Sequence, residues 1–354
     1  MPSRRDNRMF ANVVDIRSPC GTASGKRLDE ETLASLRGDG VKRRVTDHGG
    51  SRIEWTRSIP TGILYEGSGI DLYNKITRDP AYYLYNDELS IFEDHSDDIA
   101  AVLLESVAHV RGTAEGASQR DGRERHIVLV DLGAGRLDKS AYLLDSISKE
   151  IEYGSKNAPR SQRTAATYLA VDLQFEQLQS RISQLLQERP HFGNSCFDEY
   201  SLSGVSVRGV CGSYHDTTEY LRSGKWKVES LQSQRTHTLD TESRKCLMWL
   251  GSSFTNLNPL QAARFLRDFV ENGKLLPGDL LLVGIDRCRD VEKVTAAYSD
   301  SSQHWQRYVQ NGLLNAAKSI GEATLANDWT YVARWDPLKG RHLVRQTPAN
   351  LHAH

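Results

Sequence analysis

The stretch His126-Ile-Val-Leu-Val-Asp-Leu-Gly-Ala-Gly135, followed by Arg-Leu-Asp-Lys139-Ser, constrains the fold more than any other. Four branched apolar residues in succession read as a strand buried on both faces, as in a parallel sheet covered by helices. The glycines that follow let the backbone turn tightly and approach a ligand without Cβ interference. Apolar residues return at helical spacing from Lys139 to Lys149, at Ala141, Leu143, Leu144 and Ile147. Strand, glycine turn and helix together open a nucleotide-type α/β domain; without a ligand they are simply a tight turn of that fold class.

Further strands are expected at Tyr168–Asp172, Val205–Val210, Cys246–Leu250 and Leu280–Asp286. Helices alternate with them at Phe175–Leu186 and Gln261–Glu271. Buried strands alternating with helices imply a doubly wound parallel sheet, whose ligands sit outside the carboxyl ends of the strands. Gly133, Gly135, Asp172, Ser213-Tyr214, Asn256 and Asp286 all fall at such ends. Asp172 suits the two hydroxyls of a ribose, and it also suits the N-cap of its own helix. Asn256 reads either as a ligand-binding amide or as a turn residue, and Tyr82 and Tyr298 as ligand contacts or half-buried aromatics.

Ahead of the sheet, Gly69–Thr77 predicts a helix with Ile70, Tyr73 and Ile76 on one face, ended by Asp79-Pro80. A long helix capped by Asn86 or Asp87 then carries Ile91, Ile99, Val102, Leu103, Val107 and Val110. The polar stretches 112–125, 153–165 and 223–244 read as loops. In residues 1–50 only Asn12–Ile16 offers a piece that could dock, and Lys42-Arg-Arg44 reads as a solvated charge run or a targeting signal. The chain therefore divides into a mobile N-terminal segment (1–50), a helical lobe (51–111), a Rossmann-like core (126–290), and a partial substrate lobe and tail (291–354).

Composition removes several function classes. With 45 Lys+Arg against 46 Asp+Glu, the 354-residue chain has no basic field to favour nucleic acid. No apolar run approaches the roughly 20 residues of a membrane span, and the polar N-terminus resembles no secretory signal. A cytoplasmic protein with neither nucleic acid nor membrane as partner is expected. Five cysteines lie scattered without a Cys-x-x-Cys pair, and the histidines lack ligand spacing; the terminal His352 and His354 read as solvated. No metal is expected. The sequence does not fix an oligomeric state.

The glycine turn lacks the third glycine of a dinucleotide site, and no Gly-x-x-x-x-Gly-Lys-Ser/Thr is present. Asp-Leu-Gly-Ala-Gly135 with an acid ending the next strand is similar instead to an S-adenosyl-L-methionine (SAM) site. Three further stretches are distinctive. The first is Ser58-Ile-Pro60…Leu64-Tyr65…Gly69-Ile-Asp-Leu-Tyr…Tyr82-Tyr83…Glu88. The others are Leu250-Gly-Ser-Ser-Phe-Thr-Asn256 and Pro277-Gly-Asp-Leu-Leu-Leu-Val-Gly-Ile-Asp286…Lys293…Tyr298. Together they resemble the histidine-specific methyltransferases of ergothioneine biosynthesis and their relatives, the 4-dimethylallyltryptophan N-methyltransferases, over about residues 58–345.

The resemblance implies SAM-dependent N-methylation of the α-amine of a histidine- or tryptophan-like amino acid or derived amine in specialised metabolism. It places the cofactor on Gly133, Gly135, Lys139, Asp172, Ser213 and Tyr214, where Ser213 departs from an aspartate common at that position. It places the small-molecule amine substrate on Tyr65, Tyr82, Asn256 and Tyr298, with Tyr65 and Tyr82 as the catalytic pair. It also implies a longer C-terminal substrate lobe with an acid and a small hydroxyl residue that read the substrate side chain. No counterpart is evident before His354, where Gln346–His354 shows no strand pattern, and one sheet edge would be open. The alternative is a pseudoenzyme or regulatory subunit that binds cofactor without turnover.

Overall fold

The computed structural model describes residues 12–17, 30, 32–36, 41–47, 50–56, 59–108, 125–156, 163–192, 204–226, 242–299 and 303–348. Ser58, Cys20, Cys196, His352, His354 and most of the three expected polar loops lie outside them, as do the side chains of Lys42–Arg44. In chain order the elements are β1 (Val13–Asp15), β2 (Val41–Asp47), β3 (Gly50–Thr56), α1 (Gly69–Ile76), α2 (Tyr83–Ala108), β4 (Arg125–Leu132), α3 (Asp138–Ser155) and β5 (Thr164–Asp172). There follow α4 (Phe175–Glu188), β6 (Gly204–Cys211), α5 (Tyr214–Ser223), β7 (Glu242–Trp249), α6 (Pro259–Glu271), β8 (Leu280–Val283), α7 (Val291–Tyr298), α8 (His304–Ile320), β9 (Trp329–Asp336) and β10 (Arg341–Pro348). They group into two compact units, Met1–Arg17 with Asn86–Asp286, and Ser18–Tyr85 with Arg287–His354.

The first unit is the expected Rossmann-like α/β core. Among the described residues its sheet has six strands in the order β1-β6-β5-β4-β7-β8, all parallel. The apolar run of β4 is buried because both sheet faces are covered. Ile127 and Leu129 pack with Leu143, Leu144 and Ile147 of α3, Leu178 and Ile182 of α4, and Leu103 of α2. Val128, Val130 and Leu132 face the other way, in a cluster with Tyr220 and Leu221 of α5, Trp249 of β7 and Phe269 of α6. The chain winds outward from β4 through β5 and β6, then returns to the opposite side of β4 as β7. The reversal puts the topological switch point between β4 and β7.

Several local expectations are corrected. The piece expected to dock, Asn12–Ile16, does so, and what the sequence did not show is that it docks as a sixth strand, β1, paired in register with Gly209–Cys211 of β6. Gly209 makes that approach feasible, since a Cβ there would meet Val13 Cγ2 at 2.7 Å and Leu178 Cγ at 3.0 Å. Gly209→Ala is expected to cost about 1–3 kcal/mol by overpacking, read as a lower urea midpoint at unchanged slope. The last core strand stops at Val283 instead of Asp286: Gly284 N–H closes the ladder on Trp249 O (3.0 Å), after which Asp286 N–H turns to Ser252 Oγ (2.7 Å). Helix α2 starts at Tyr83 and not at Asn86, because the Asp79 carboxylate accepts from Ala81 N–H (3.0 Å) and completes the turn through Pro80. Helix α6 starts two residues before Gln261, where Pro259 follows Asn258, whose side chain and that of Gln261 form a reciprocal capping box.

The second unit holds α1, α7 and α8 and two antiparallel hairpins, β2–β3 and β9–β10. Ile76, Tyr82, Tyr83, Val294, Ala297 and Tyr308 form its aromatic-rich core. Asn311 and Asn315 of α8 donate to the carbonyls of Ile63, Leu64 and Glu66 and so fix the turn before α1. The hairpin β2–β3 was not expected from the sequence. Neither was β10, where the tail from Gln346 to Pro348 completes an antiparallel ladder with Trp329–Tyr331. The register of β10 is supplied by its partner strand, since its own side chains do not alternate in polarity.

Candidate active site

At the carboxyl end of β4 the chain turns through Gly133 (φ +74°) and Gly135 (φ +60°), and their N–H side is anchored when Gly133 and Ala134 both donate to Val171 O at 3.0 Å. A Cβ on Gly133 would lie 3.2 Å from the Tyr214 hydroxyl, so this glycine keeps a narrow space open beneath that ring. Two bulkier residues also take left-handed backbone here, Leu137 (φ +66°) at the entry to α3 and Ser252 (φ +55°) after β7. Such residues are uncommon and cost of order 1–3 kcal/mol, a strain that concentrates at ligand-binding turns. They flank the switch point on its two sides.

Asp172 ends β5 with its carboxylate directed across to this turn. Oδ2 accepts from Gly135 N–H at 3.3 Å and Oδ1 from Leu173 N–H at 2.7 Å. Arg181 of α4 donates to Gly135 O at 2.7 Å and lies 3.5 Å from Asp172 Oδ2. Burial pushes the Asp172 pKa upward, opposed by the Arg181 charge and by the backbone N–H donors. The N-cap alternative is overturned: Gln174 takes that position, and α4 has no side-chain cap. Arg181 was missed in the sequence; its only signal was a basic residue two helical turns after the ribose-type acid.

Ser213 caps α5, exchanging hydrogen bonds with Asp216, so its hydroxyl is engaged there. Tyr214 stands half-buried against Trp249 and Phe265, with ring centroids at 5.4 and 5.5 Å. Lys139, at the start of α3, is not free: its ammonium is hydrogen-bonded to Glu88. Glu88 also accepts from Gly251 N–H at 2.9 Å, thereby tying α2, α3 and the turn after β7 into one cluster. The sequence supplied Glu88 only as part of a motif and not as a site residue. Beneath the turn, Asp131 accepts from Ser140 Oγ and Tyr168 Oη, both at 2.6 Å, another buried arrangement without a sequence signal beyond the residue types. Asn256 lies in a short 3-10 turn, exposed, its amide making no hydrogen bond among the described residues.

Of the predicted residues, this unit therefore assembles Gly133, Gly135, Lys139, Asp172, Ser213 and Tyr214 at adjacent strand ends, with Asn256 after β7. The other three predicted residues belong to the second unit, where they share one aromatic cluster. Tyr82 and Tyr298 meet edge to face at 6.1 Å, while Tyr65 contacts Tyr73 at 5.5 Å and Tyr308 at 5.7 Å. Burial first, then the neighbouring tyrosines, hold the Tyr82 hydroxyl well above its ordinary pKa and hence neutral.

The first unit's donor set fits a nucleoside cofactor: a carboxylate for a ribose, glycines that leave room, and an aromatic wall beside them. The family described as histidine-specific methyltransferase, SAM-dependent, matches residues 48–351. The chain belongs to this methyltransferase family. Its cofactor is S-adenosyl-L-methionine. Relatives include ergothioneine biosynthesis protein 1 of Neurospora crassa, 30% identical over 295 residues, which cover 82% of this chain and 27% of that protein. The N-methyltransferase imqF of Aspergillus flavus is 26% identical over 289 residues (81% and 63% of the two chains). The histidine N-alpha-methyltransferase of Mycobacterium tuberculosis is 24% identical over 286 residues (80% and 68%). The chain thus spans less than two thirds of the length of the first two of these relatives. Among the described residues no helix is long and apolar enough to cross a membrane.

Proposed function

We propose that the chain is a SAM-dependent N-methyltransferase acting on the α-amine of a histidine- or tryptophan-like amino acid, or of an amine derived from one, in specialised metabolism. The observation that carries this reading is the Asp172 carboxylate meeting the Gly133–Gly135 turn beside the switch point of a family member's sheet. The relatives named as N-methyltransferases and histidine N-alpha-methyltransferase support the choice of nitrogen as acceptor.

S-adenosyl-L-methionine, when bound, supplies an electrophilic methyl group on a sulfonium. In this reading Asp172 would accept from the ribose hydroxyls, Gly133 and Gly135 would leave the space, and Lys139 and Ser213 would border the cofactor. The Tyr214 ring, supported by Trp249 and Phe265, would wall the adenine. Tyr65 and Tyr82 hold the acceptor amine through neutral hydroxyls, which orient its lone pair without adding charge, and Tyr298 completes their cluster. Asn256 donates its amide to the substrate carboxylate. Alignment of two bound reactants supplies about 7–11 kcal/mol of the barrier reduction, so no covalent intermediate on the protein is required. We place the protein in the cytoplasm, with a small-molecule amine as its partner.

Incubation with methyl-labelled cofactor and histidine, tryptophan or 4-dimethylallyltryptophan is expected to place label on the α-nitrogen, located by tandem mass spectrometry. Cofactor binding with no labelled product on any of them would overturn the assignment.

A further inference from the structure

The hairpin β9–β10 carries polar side chains that the fold leaves without partners. Both ring nitrogens of His342 and both amide atoms of Gln346 are buried and make no hydrogen bond among the described residues. The two residues alternate with Val344 on β10, so all three share a face of the hairpin. Their cross-strand neighbours on that face are Trp335, Ala333 and Tyr331. The face lies against α7: His342 stacks on Tyr298 at 4.7 Å and 14°, and Tyr331 Oη donates to Tyr298 O at 3.0 Å. Tyr298 in turn has Trp305 at 5.0 Å and Tyr82 at 6.1 Å.

Buried polar groups are nearly always hydrogen-bonded, and an unpaired donor or acceptor in an apolar setting is costly. Two side chains with four such atoms on one face of the hairpin, His342 stacked on Tyr298 and Gln346 paired across the strands with Tyr331, describe a half-built recognition site. We propose that this polar face of β10 determines substrate specificity, His342 or Gln346 pairing with a ring N–H or O–H on the side chain of an aromatic amino acid whose backbone is held at Tyr82 and Tyr298. The orphaned imidazole stacked on Tyr298, with the orphaned amide further along the same face opposite Tyr331, carries this inference, which rests on the N-methyltransferase reading. Burial holds the His342 pKa below its ordinary value, so the ring is a neutral donor and acceptor. Gln346 supplies two donors and an acceptor oxygen. Neither group offers a charge to a charged side chain, and both would be left unpaired by a hydrocarbon ring.

The test compares amino acids that differ only in the ring's polar group. Methyl transfer to tyrosine is measured against phenylalanine, and to tryptophan against its benzothienyl analogue, in which sulfur replaces the N–H. A site that hydrogen-bonds a substrate N–H or O–H rejects the analogue lacking it, here by an expected ratio of at least about 100 in kcat/KM for one pair. At least one of His342→Leu and Gln346→Leu is expected to bring that ratio down tenfold or more, with SAM affinity unchanged and Tm unchanged or raised. A ratio that stays within twofold of wild type in both variants would overturn the inference while leaving the methyltransferase reading intact. So would a fall in Tm with the ratio unmoved, which marks the pair as structural. Cofactor binding without turnover of any of these amino acids, or of histidine, would overturn both readings together.

Discussion

Asp172→Ala is expected to weaken SAM binding about 100-fold in calorimetric titration, while the cofactor-free protein unfolds near the wild-type temperature. The expectation follows from the carboxylate's two duties. Toward a ligand, it offers charge-assisted acceptance to two ribose hydroxyls, and hydrogen bonds to a charged group contribute about 1.5–3 kcal/mol each. Two such bonds at the low end of that range, about 3 kcal/mol, correspond to a loss of about 100-fold or slightly more. Toward the fold it contributes little, because burial penalises its charge, its short bond is to the neighbouring Leu173 N–H (2.7 Å), and its contacts to Gly135 N–H and Arg181 are long, at 3.3 and 3.5 Å. Arg181 keeps the Gly135 carbonyl (2.7 Å) and the Gln177 side chain (3.1 Å) after the substitution. Asp172→Asn, which retains shape and one acceptor oxygen, is expected to fall between alanine and wild type. Binding within twofold of wild type in the alanine variant would exclude Asp172 as the ribose acceptor.

The parts of this molecule legible in the sequence are those with a periodic or steric signature. The run Ile127–Val130 could only be a doubly covered strand, and the helical spacing of Ala141, Leu143, Leu144 and Ile147 has the face that packs on it. The glycines at 133 and 135 were readable because a left-handed turn selects for them. The strand β1 was not readable as such, since three residues are too few for a pattern and its stability is borrowed from β6 and the room left by Gly209. The strand β10 failed for a related reason: His342 and Gln346 break its polarity pattern, and from Gln346 onward the sequence shows no strand pattern. Glu88 and Arg181 were hidden because their roles depend on partners 51 and 46 residues away, Lys139 and the Gly135 carbonyl. Periodicity reports which face is buried, whereas ion pairs across the sheet report tertiary geometry.

Tyr168→Phe is expected to destabilise the core unit by about 2 kcal/mol at neutral pH, and by less in acid. Tyr168 is fully buried, and its hydroxyl is one of two that donate to the same oxygen of Asp131, itself 1% exposed. Burial raises the Asp131 pKa, and the hydrogen bonds from Ser140 and Tyr168 oppose that rise. Deleting one of them pushes the folded-state pKa further up, so the variant holds its carboxylate charge at greater cost. Below the unfolded value of 3.8, Asp131 is protonated in both states and only an ordinary neutral hydrogen bond is lost, about 1 kcal/mol. As pH rises through the elevated folded pKa, the charged form must be accommodated with one donor fewer, and the gap between wild type and variant widens. Urea unfolding of both proteins across that range measures it directly; a gap independent of pH would mean that Asp131 does not carry its charge in the folded state. Because Asp131 stands two residues before Gly133 and Ser140 lies in the first turn of α3, the same hydroxyl also holds the geometry of the glycine turn. SAM affinity in Tyr168→Phe is therefore expected to fall severalfold, far less than when Asp172 is removed, since the turn loosens while its ribose acceptor stays.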